Sequence, residues 1–184
     1  VTYTYSFEVT KLTLELEQSA TNFVYNATQQ NPTISIKKSS LASDDSVTLE
    51  VATQESINVG SSYRVIVTGI KEGSNPNYKL PDNLEFTYSI TPFEVEIISI
   101  SHAPIRIGRV SEDMEVNIVT GDLKGLTPNI EYKIINSENK VVATITENQV
   151  TLIENASYVA GTYKVMPYIK STNYSLPSEE EIVT

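Results

Sequence analysis

Apolar and polar residues alternate along most of this chain. Every second residue is apolar over a series of short segments, which cover residues 3–9, 12–16, 34–36, 47–51, 63–67, 84–90, 93–97, 114–118, 130–134, 141–145, 150–152 and 163–165. A period of two places apolar side chains on one face of a β-strand and polar side chains on the other. No long segment repeats with the 3.6-residue period of an amphipathic helix. The pattern therefore predicts an all-β chain with almost no helix.

Clusters of Asn, Asp, Ser and Pro separate the alternating segments. They stand at residues 31–32, 43–46, 75–77, 127–129 and 136–139. Asn and Asp form local side-chain turns and Pro presets the backbone, so each cluster is expected to end one strand and start another. The clearest hairpin spans residues 134–142, around Asn136-Ser137-Glu138-Asn139. Short strands joined in this way are typical of antiparallel β-sandwiches.

Two parts of the sequence repeat each other. Residues 62–90 and 162–184 share a strand that begins with Tyr63 in one and Tyr163 in the other, with Val67 matched by Pro167. Both then carry an Asn-Tyr-x-Leu-Pro motif, at residues 77–81 and 173–177. The spacing is that of a domain, which predicts two tandem domains at residues 1–91 and 92–184.

The predicted junction is Ile90-Thr91-Pro92-Phe93, where Pro92 lacks the N–H group that would continue a sheet. Tyr3-Thr4-Tyr5-Ser6 also echoes Phe86-Thr87-Tyr88-Ser89. Residues 1–10 are therefore interpreted as the closing strand of a preceding repeat, and the chain as a section of a longer protein.

Charge and composition narrow the classes of partner. Among 184 residues, 13 Lys and Arg stand against 23 Asp and Glu, for a formal net charge of −10. Such a surface repels phosphate backbones, so a nucleic-acid partner is not expected. No apolar run is long enough to span a bilayer, and no signal peptide is recognised, so no membrane insertion of this segment is expected. The chain has no cysteine, which fits a bacterial surface protein better than a disulfide-stapled eukaryotic module.

Two motifs resemble a known family. Phe23-Val24-Tyr25-Asn26-Ala27-Thr28-Gln29-Gln30-Asn31-Pro32 resembles the opening Tyr-Asn-Gly-x-x-Gln-x-Pro of tandem bacterial Ig-like repeats of the MBG type, with Ala27 where that family commonly has Gly. Residues 75–81, leading into 84–90, resemble the closing part of the same repeats. The resemblance implies two tandem Ig-like antiparallel β-sandwich domains in a large extracellular, cell-surface protein, often an adhesin. Residues 102–105 lack the opening motif.

Catalytic and metal chemistry have few candidates. His102 is the only histidine, and the carboxylate runs at residues 44–45 and 179–181 lie in no recognisable cleft, so no enzyme and no cofactor are expected. Calcium prefers several loop oxygens. Residues 43–46 and 111–113 are the best loops available, and Glu94 or Asp113 would be further ligands, so a calcium site remains the alternative.

Four tyrosines are the candidate ligand-binding residues: Tyr78, Tyr174, Tyr158 and Tyr168. Exposed aromatic faces bind sugars when amide or carboxylate groups lie nearby. Tyr78 and Tyr174 occupy equivalent repeat positions, and this recurrence favours a structural tyrosine whose hydroxyl bonds backbone over a ligand-binding one.

These observations favour a spacer segment of an adhesin whose partners are neighbouring repeats of the same polypeptide. The first alternative is a module that recognises a glycan or host surface protein through loop tyrosines. The second is a self-assembling filament or surface-layer subunit, in which residues 1–9 or 182–184 pair with a neighbouring chain.

Overall fold

The computed structural model describes residues 2–102, 116–147, 149–156 and 159–177. The chain divides into two compact units, Val1–Thr91 (unit 1) and Pro92–Thr184 (unit 2). Within the described ranges the regular structure is β-strand throughout, apart from one 3₁₀ turn at Lys38–Ser40. The prediction of an all-β fold with almost no helix is confirmed.

Unit 1 contains eight strands within its described residues: β1 (Leu12–Thr13), β2 (Leu16–Gln18), β3 (Asn22–Val24), β4 (Ile34–Ile36), β5 (Leu49–Thr53), β6 (Gly60–Ile70), β7 (Tyr78–Lys79) and β8 (Glu85–Thr91). A four-stranded sheet has the order β3-β8-β6-β5, in which β3 is parallel to β8 and the other pairs are antiparallel. Strands β2 and β4 form an antiparallel pair, and β1 pairs with β7 in parallel.

The core of unit 1 lies between the four-stranded sheet and the β2–β4 pair. Alternate residues of β6 and β8 face inward, as the period of two predicts, and they meet Ile34 of β4. Val65 and Ile90 are 1% exposed or less. The rings of Phe23 and Tyr88 meet edge to face with their centroids 5.8 Å apart, an arrangement that aromatic pairs prefer.

Unit 2 contains eight further strands in the described residues: β9 (Phe93–Glu94), β10 (Ile97–His102), β11 (Val116–Thr120), β12 (Ile130–Ile135), β13 (Val141–Thr146), β14 (Gln149–Leu152), β15 (Lys164–Ile169) and β16 (Tyr174–Ser175). An antiparallel sheet has the order β14-β13-β12-β15, β10 pairs with β11, and β9 pairs with β16 in parallel. Val116 of β11 packs against inward residues of β12 and β13, including Tyr132 and Ile145.

The hairpin predicted at residues 134–142 is confirmed by the antiparallel pairing of β12 and β13. The carboxamide oxygen of Asn136 accepts the N–H groups of Glu138 and Lys140, both at 3.0 Å. Asn139 has a φ of 59°, a left-handed conformation that Asn tolerates better than most residues. The local chemistry of the turn residues was therefore sufficient to predict this hairpin from the sequence.

The repeated Asn-Tyr-x-Leu-Pro motif forms the same element in both units. In unit 1, Tyr78 stands opposite Leu12 in a parallel bridge, and in unit 2, Tyr174 stands opposite Phe93. The backbone hydrogen bonds correspond as well, because Leu12 and Phe93 each donate to the Asn of the motif, at 2.9 and 3.0 Å. Each motif thus holds the first strand of its own unit.

Two predicted strands differ in the structure. The alternating segment 12–16 is divided into β1 and β2 around the buried Leu14, because β1 pairs with β7 and β2 pairs with β4. Residues 2–10 alternate as strongly as any strand, yet they are exposed and belong to no sheet in the described part of the chain. A strand needs a neighbour to bond its backbone, and this segment has no such neighbour here.

Candidate functional site

Tyr78 lies in the interior of unit 1 with 3% of its surface exposed. Its hydroxyl donates to the carboxylate of Asp45 at 2.7 Å and accepts the backbone N–H of Ala42 at 2.8 Å. The Ala42 N–H favours the phenolate, but the Asp45 hydrogen bond and burial outweigh it and raise the pKa of Tyr78. The ring therefore offers no exposed face to a sugar, and its hydroxyl fastens the 42–45 loop to β7.

The other three candidates belong to unit 2. Tyr174 is half-buried, and its backbone forms the bridge from β16 to β9. Tyr168 lies on β15 and is half-buried. Tyr158 lies outside the described residues. The three tyrosines that the structure describes, Tyr78, Tyr168 and Tyr174, therefore lie on three different strands.

Tyr168 belongs to a polar cluster that the sequence analysis did not identify. It stands directly opposite Glu131 of β12, and its hydroxyl donates to the Glu131 carboxylate. The ammonium group of Lys170 donates to the other carboxylate oxygen at 2.8 Å. On the same face, the Lys133 ammonium group lies 4.7 Å from the centroid of the Tyr168 ring, in a cation–π contact. We call these four residues the Glu131 cluster.

Glu131 is 4% exposed, and a buried carboxylate is stable only when it is paired and hydrogen-bonded. The hydrogen bonds from Lys170 and Tyr168 lower its pKa against the opposing effect of burial. The same contacts raise the pKa of Tyr168 and of Lys170. The cluster is thus charged and internally satisfied at neutral pH. Its chemistry is that of a structural ion pair between two strands.

Two other tyrosines perform matching structural roles. Tyr63, near the start of β6, donates its hydroxyl to the backbone oxygen of Asn58 at 3.0 Å. Tyr163, just before β15, donates to the backbone oxygen of Val159 at 2.7 Å. The sequence repeat aligned these residues, but nothing in it revealed the upstream carbonyl. A tyrosine near the start of a late strand, whose hydroxyl bonds a backbone group a few residues upstream, has the geometry of a tyrosine corner.

A recess with a volume of about 390 Å³ lies in unit 2 beside the β12–β13 turn. Its wall includes Asn136, Lys140 and Tyr163. Lys140 pairs with Glu138 at 2.9 Å, and the Asn136 and Tyr163 side chains bond backbone groups. These three polar side chains are therefore engaged with the protein itself.

The predicted catalytic and metal candidates lie only partly within the described residues. His102 is the last residue of β10, and the Asp45 carboxylate holds Tyr78. Residues 111–113 and 179–181 lie outside the described residues. Among the side chains that the structure describes, no three His, Asp or Glu residues are grouped so as to hold a metal ion.

Within the described ranges, no helix has the length and apolar character needed to cross a membrane. In comparisons with protein-family models, with curated proteins and with solved structures, no match to this chain was found.

Proposed function

We propose that this chain is a pair of tandem Ig-like repeats from an extracellular surface protein of the adhesin type. Its role is that of a spacer, which transmits tension along the polypeptide and holds a binding region away from the cell. Its partners are neighbouring repeats of the same polypeptide. The observation that carries the proposal is the parallel pairing between early and late strands in both units.

Parallel pairing of this kind determines how tension reaches the hydrogen bonds. A pull on the chain draws β1 backward along its own axis and draws β7 and β8 forward. Neighbouring strands are then displaced along each other, and the bonds between them are loaded together. An antiparallel pair pulled apart from one end loses its bonds one at a time. A unit that closes with parallel pairs is therefore suited to resist tension applied through its ends.

The bonds in unit 1 are numerous for such short strands. Backbone bonds of 2.9–3.0 Å join β1 to β7 and β3 to β8, among them Ser89 N–H to Thr21 and Tyr25 N–H to Thr91. The Thr91 hydroxyl adds a bond of 3.0 Å to the Phe23 carbonyl. In unit 2, Val95 N–H donates to the Ser175 carbonyl at 2.8 Å. We call the β1–β7 and β3–β8 contacts the clamp of unit 1.

Two local features support the Ig-like assignment of the units. The hydroxyls of Tyr63 and Tyr163 occupy tyrosine-corner positions at the start of equivalent strands. Ala27 has a φ of 60°, a conformation that glycine adopts without strain, and it stands where the resembled family commonly has Gly. The turn geometry at Ala27 thus agrees with the opening motif of those repeats.

A pair of threonine variants tests the spacer role by single-molecule pulling of the full chain. Thr91 and Thr68 are both exposed, and each hydroxyl donates to a backbone carbonyl on an adjacent strand, but only the Thr91 bond lies in the clamp. Thr91→Val is expected to lower the unfolding force of unit 1. Thr68→Val, which removes a β6–β5 bond of 3.2 Å, is expected to leave that force unchanged.

Each variant is expected to lower the free energy of unfolding by about 1 kcal/mol at most. Melting curves of the two variants check that their equilibrium stabilities are similar, so that a difference in unfolding force is not a difference in stability. Equal unfolding forces for the two variants would contradict the proposed route of tension through the clamp.

A further inference from the structure

Residues 2–10, which we call the N-terminal segment, present an unpaired apolar face. Tyr3, Tyr5, Phe7 and Val9 are between 77% and 88% exposed. The intervening residues are Thr4, Ser6 and Glu8. The segment thus has the two-faced pattern of a strand that covers a core, yet it covers none in this structure.

The structure sets a register between this segment and β8. Leu12 and Phe93 are equivalent because each faces the tyrosine of the repeated motif in the same parallel bridge. Counting back equal steps from both residues matches the apolar positions without a gap: Val9 with Ile90, Phe7 with Tyr88, Tyr5 with Phe86, and Tyr3 with Leu84. Tyr88 and Ile90 are 2% and 1% exposed, in the core of unit 1.

This register lies two residues from the match of Tyr3-Thr4-Tyr5-Ser6 with Phe86-Thr87-Tyr88-Ser89. A shift of two leaves every side chain on the same face of a strand, whereas a shift of one would reverse the faces. Both alignments therefore place the same four apolar side chains toward a core. The structural register also matches the length of the connection to the next strand. The N-terminal segment leads into β1 over the same number of residues as β8 leads into β9, the first strand of unit 2.

We infer that the N-terminal segment is the closing strand of a β-sandwich unit built like unit 1 and placed before it in the same polypeptide. It pairs between that unit's equivalents of β3 and β6, with Tyr3, Tyr5, Phe7 and Val9 in that unit's core. All junctions in the array are then built in the same way: the closing strand of one unit leads directly into the first strand of the next. The inference rests on the proposed function, since it requires that such units recur in tandem.

An extended chain tests the inference. A second copy of residues 11–83, which lacks β8, is joined ahead of Tyr3, so that Tyr3 follows Asn83 as Leu84 does in unit 1. Chymotrypsin cleaves after exposed Tyr and Phe, so the segment of the 184-residue chain should be cut rapidly. In the extended chain, cleavage after Tyr5 and Phe7 is expected to be slower by roughly tenfold or more, because cleavage requires the strand to open.

The matched control exchanges the residues within each of the pairs 3–4, 5–6, 7–8 and 9–10. Composition, length and cleavage sites are kept, but the apolar side chains move to the opposite face. Protection that survives this exchange, or no protection in the unexchanged extended chain, would overturn the inference. Protection of the 184-residue chain by dimerisation, detected by light scattering, would overturn it in favour of pairing between copies.

A second variant removes dependence on the folding of the added copy. Residues 84–91 of the full chain are replaced by the sequence of residues 3–10, and in the control by its pairwise exchanged form. The first graft is expected to keep a cooperative unfolding transition for unit 1, and the exchanged graft to lose it. Loss in both grafts would overturn the inference. The Thr91→Val force comparison does not involve this segment, so a failure of the proposed function can be distinguished from a failure of this inference.

Discussion

At the scale of single residues, Glu131 shows how a charge becomes part of the β12–β15 contact. Its side chain is only 5% exposed, whereas that of its partner Lys170 is 71% exposed. The carboxylate is therefore removed from water while the ammonium group stays hydrated. Removal of Lys170 would be destabilising, because the buried charge of Glu131 would then lack its cation.

The Glu131 cluster makes the stability of unit 2 depend on pH. The pKa of Glu131 is lowered in the folded state from its ordinary value of 4.5. Its contribution is therefore complete above the unfolded pKa and is lost as the pH falls through the folded pKa. We expect Glu131→Gln to lower the melting temperature at pH 7 by on the order of 5 °C, with a smaller difference at pH 3.

Glu138→Gln provides the control for this experiment. Glu138 pairs with Lys140 at 2.9 Å, but both side chains are largely exposed, so water and salt screen the pair. Hydrogen exchange of the β12 and β13 amides during heating reports unit 2 separately. A fall in melting temperature that is equal for the two variants, or independent of pH for Glu131→Gln, would contradict the account.

The burial of Glu131 was not predictable from the sequence, and the reason is physical. Ile130, Tyr132 and Ile134 alternate with Glu131 and Lys133, so the period of two predicts a solvent-facing glutamate. Its burial depends on Tyr168, which is distant in sequence and adjacent only through the β12–β15 register. The repetition of Tyr78 favoured a structural role for it, but its partners Asp45 and Ala42 were not predictable from the sequence.

At the scale of elements, the start of β6 depends on a close approach between Gly60 and Tyr63. A Cβ atom at Gly60 would lie 2.8 Å from Cζ of Tyr63. That ring has little freedom to move, because its hydroxyl bonds the Asn58 backbone oxygen and its centroid lies 5.4 Å from the Tyr88 centroid. Glycine is therefore required here by space.

Gly60→Ala is expected to destabilise unit 1 by roughly 1–3 kcal/mol, as overpacking does when the neighbour is held in place. Gly69→Ala in the same strand is the control, since its Cβ would meet only the flexible Glu50 carboxylate, at 3.2 Å. That variant should change stability by about 0.5 kcal/mol or less. Chemical denaturation of both variants provides the measurement, and equal effects would contradict the spatial argument.

Elements governed by local chemistry were the ones that the sequence analysis predicted best. The β12–β13 hairpin followed from its turn residues, and the repeated motif pointed to a common element. Strand partners were not predictable, because pairing is decided by residues far apart in the chain. Thus 12–16 was predicted as one strand, whereas its two ends belong to different sheets.

At the scale of the whole molecule, the chain is two units that each tie an early strand to a late one. The net charge of −10 opposes close association of such chains. The central claim is mechanical: unit 1 should resist a pull along the polypeptide better than a pull across its sheet. The chain has no cysteine of its own, so pulling handles attach only where cysteine is introduced.

The most direct measurement compares two pulling directions on unit 1 within the full chain. Handles at Lys11→Cys and Pro92→Cys load the clamp along the chain. Handles at Thr48→Cys and Lys71→Cys separate β5 from β6 at one end, where Lys71 N–H donates to the Thr48 carbonyl at 2.8 Å. The account predicts a higher unfolding force for the first pair at the same loading rate. An equal or lower force along the chain would contradict it.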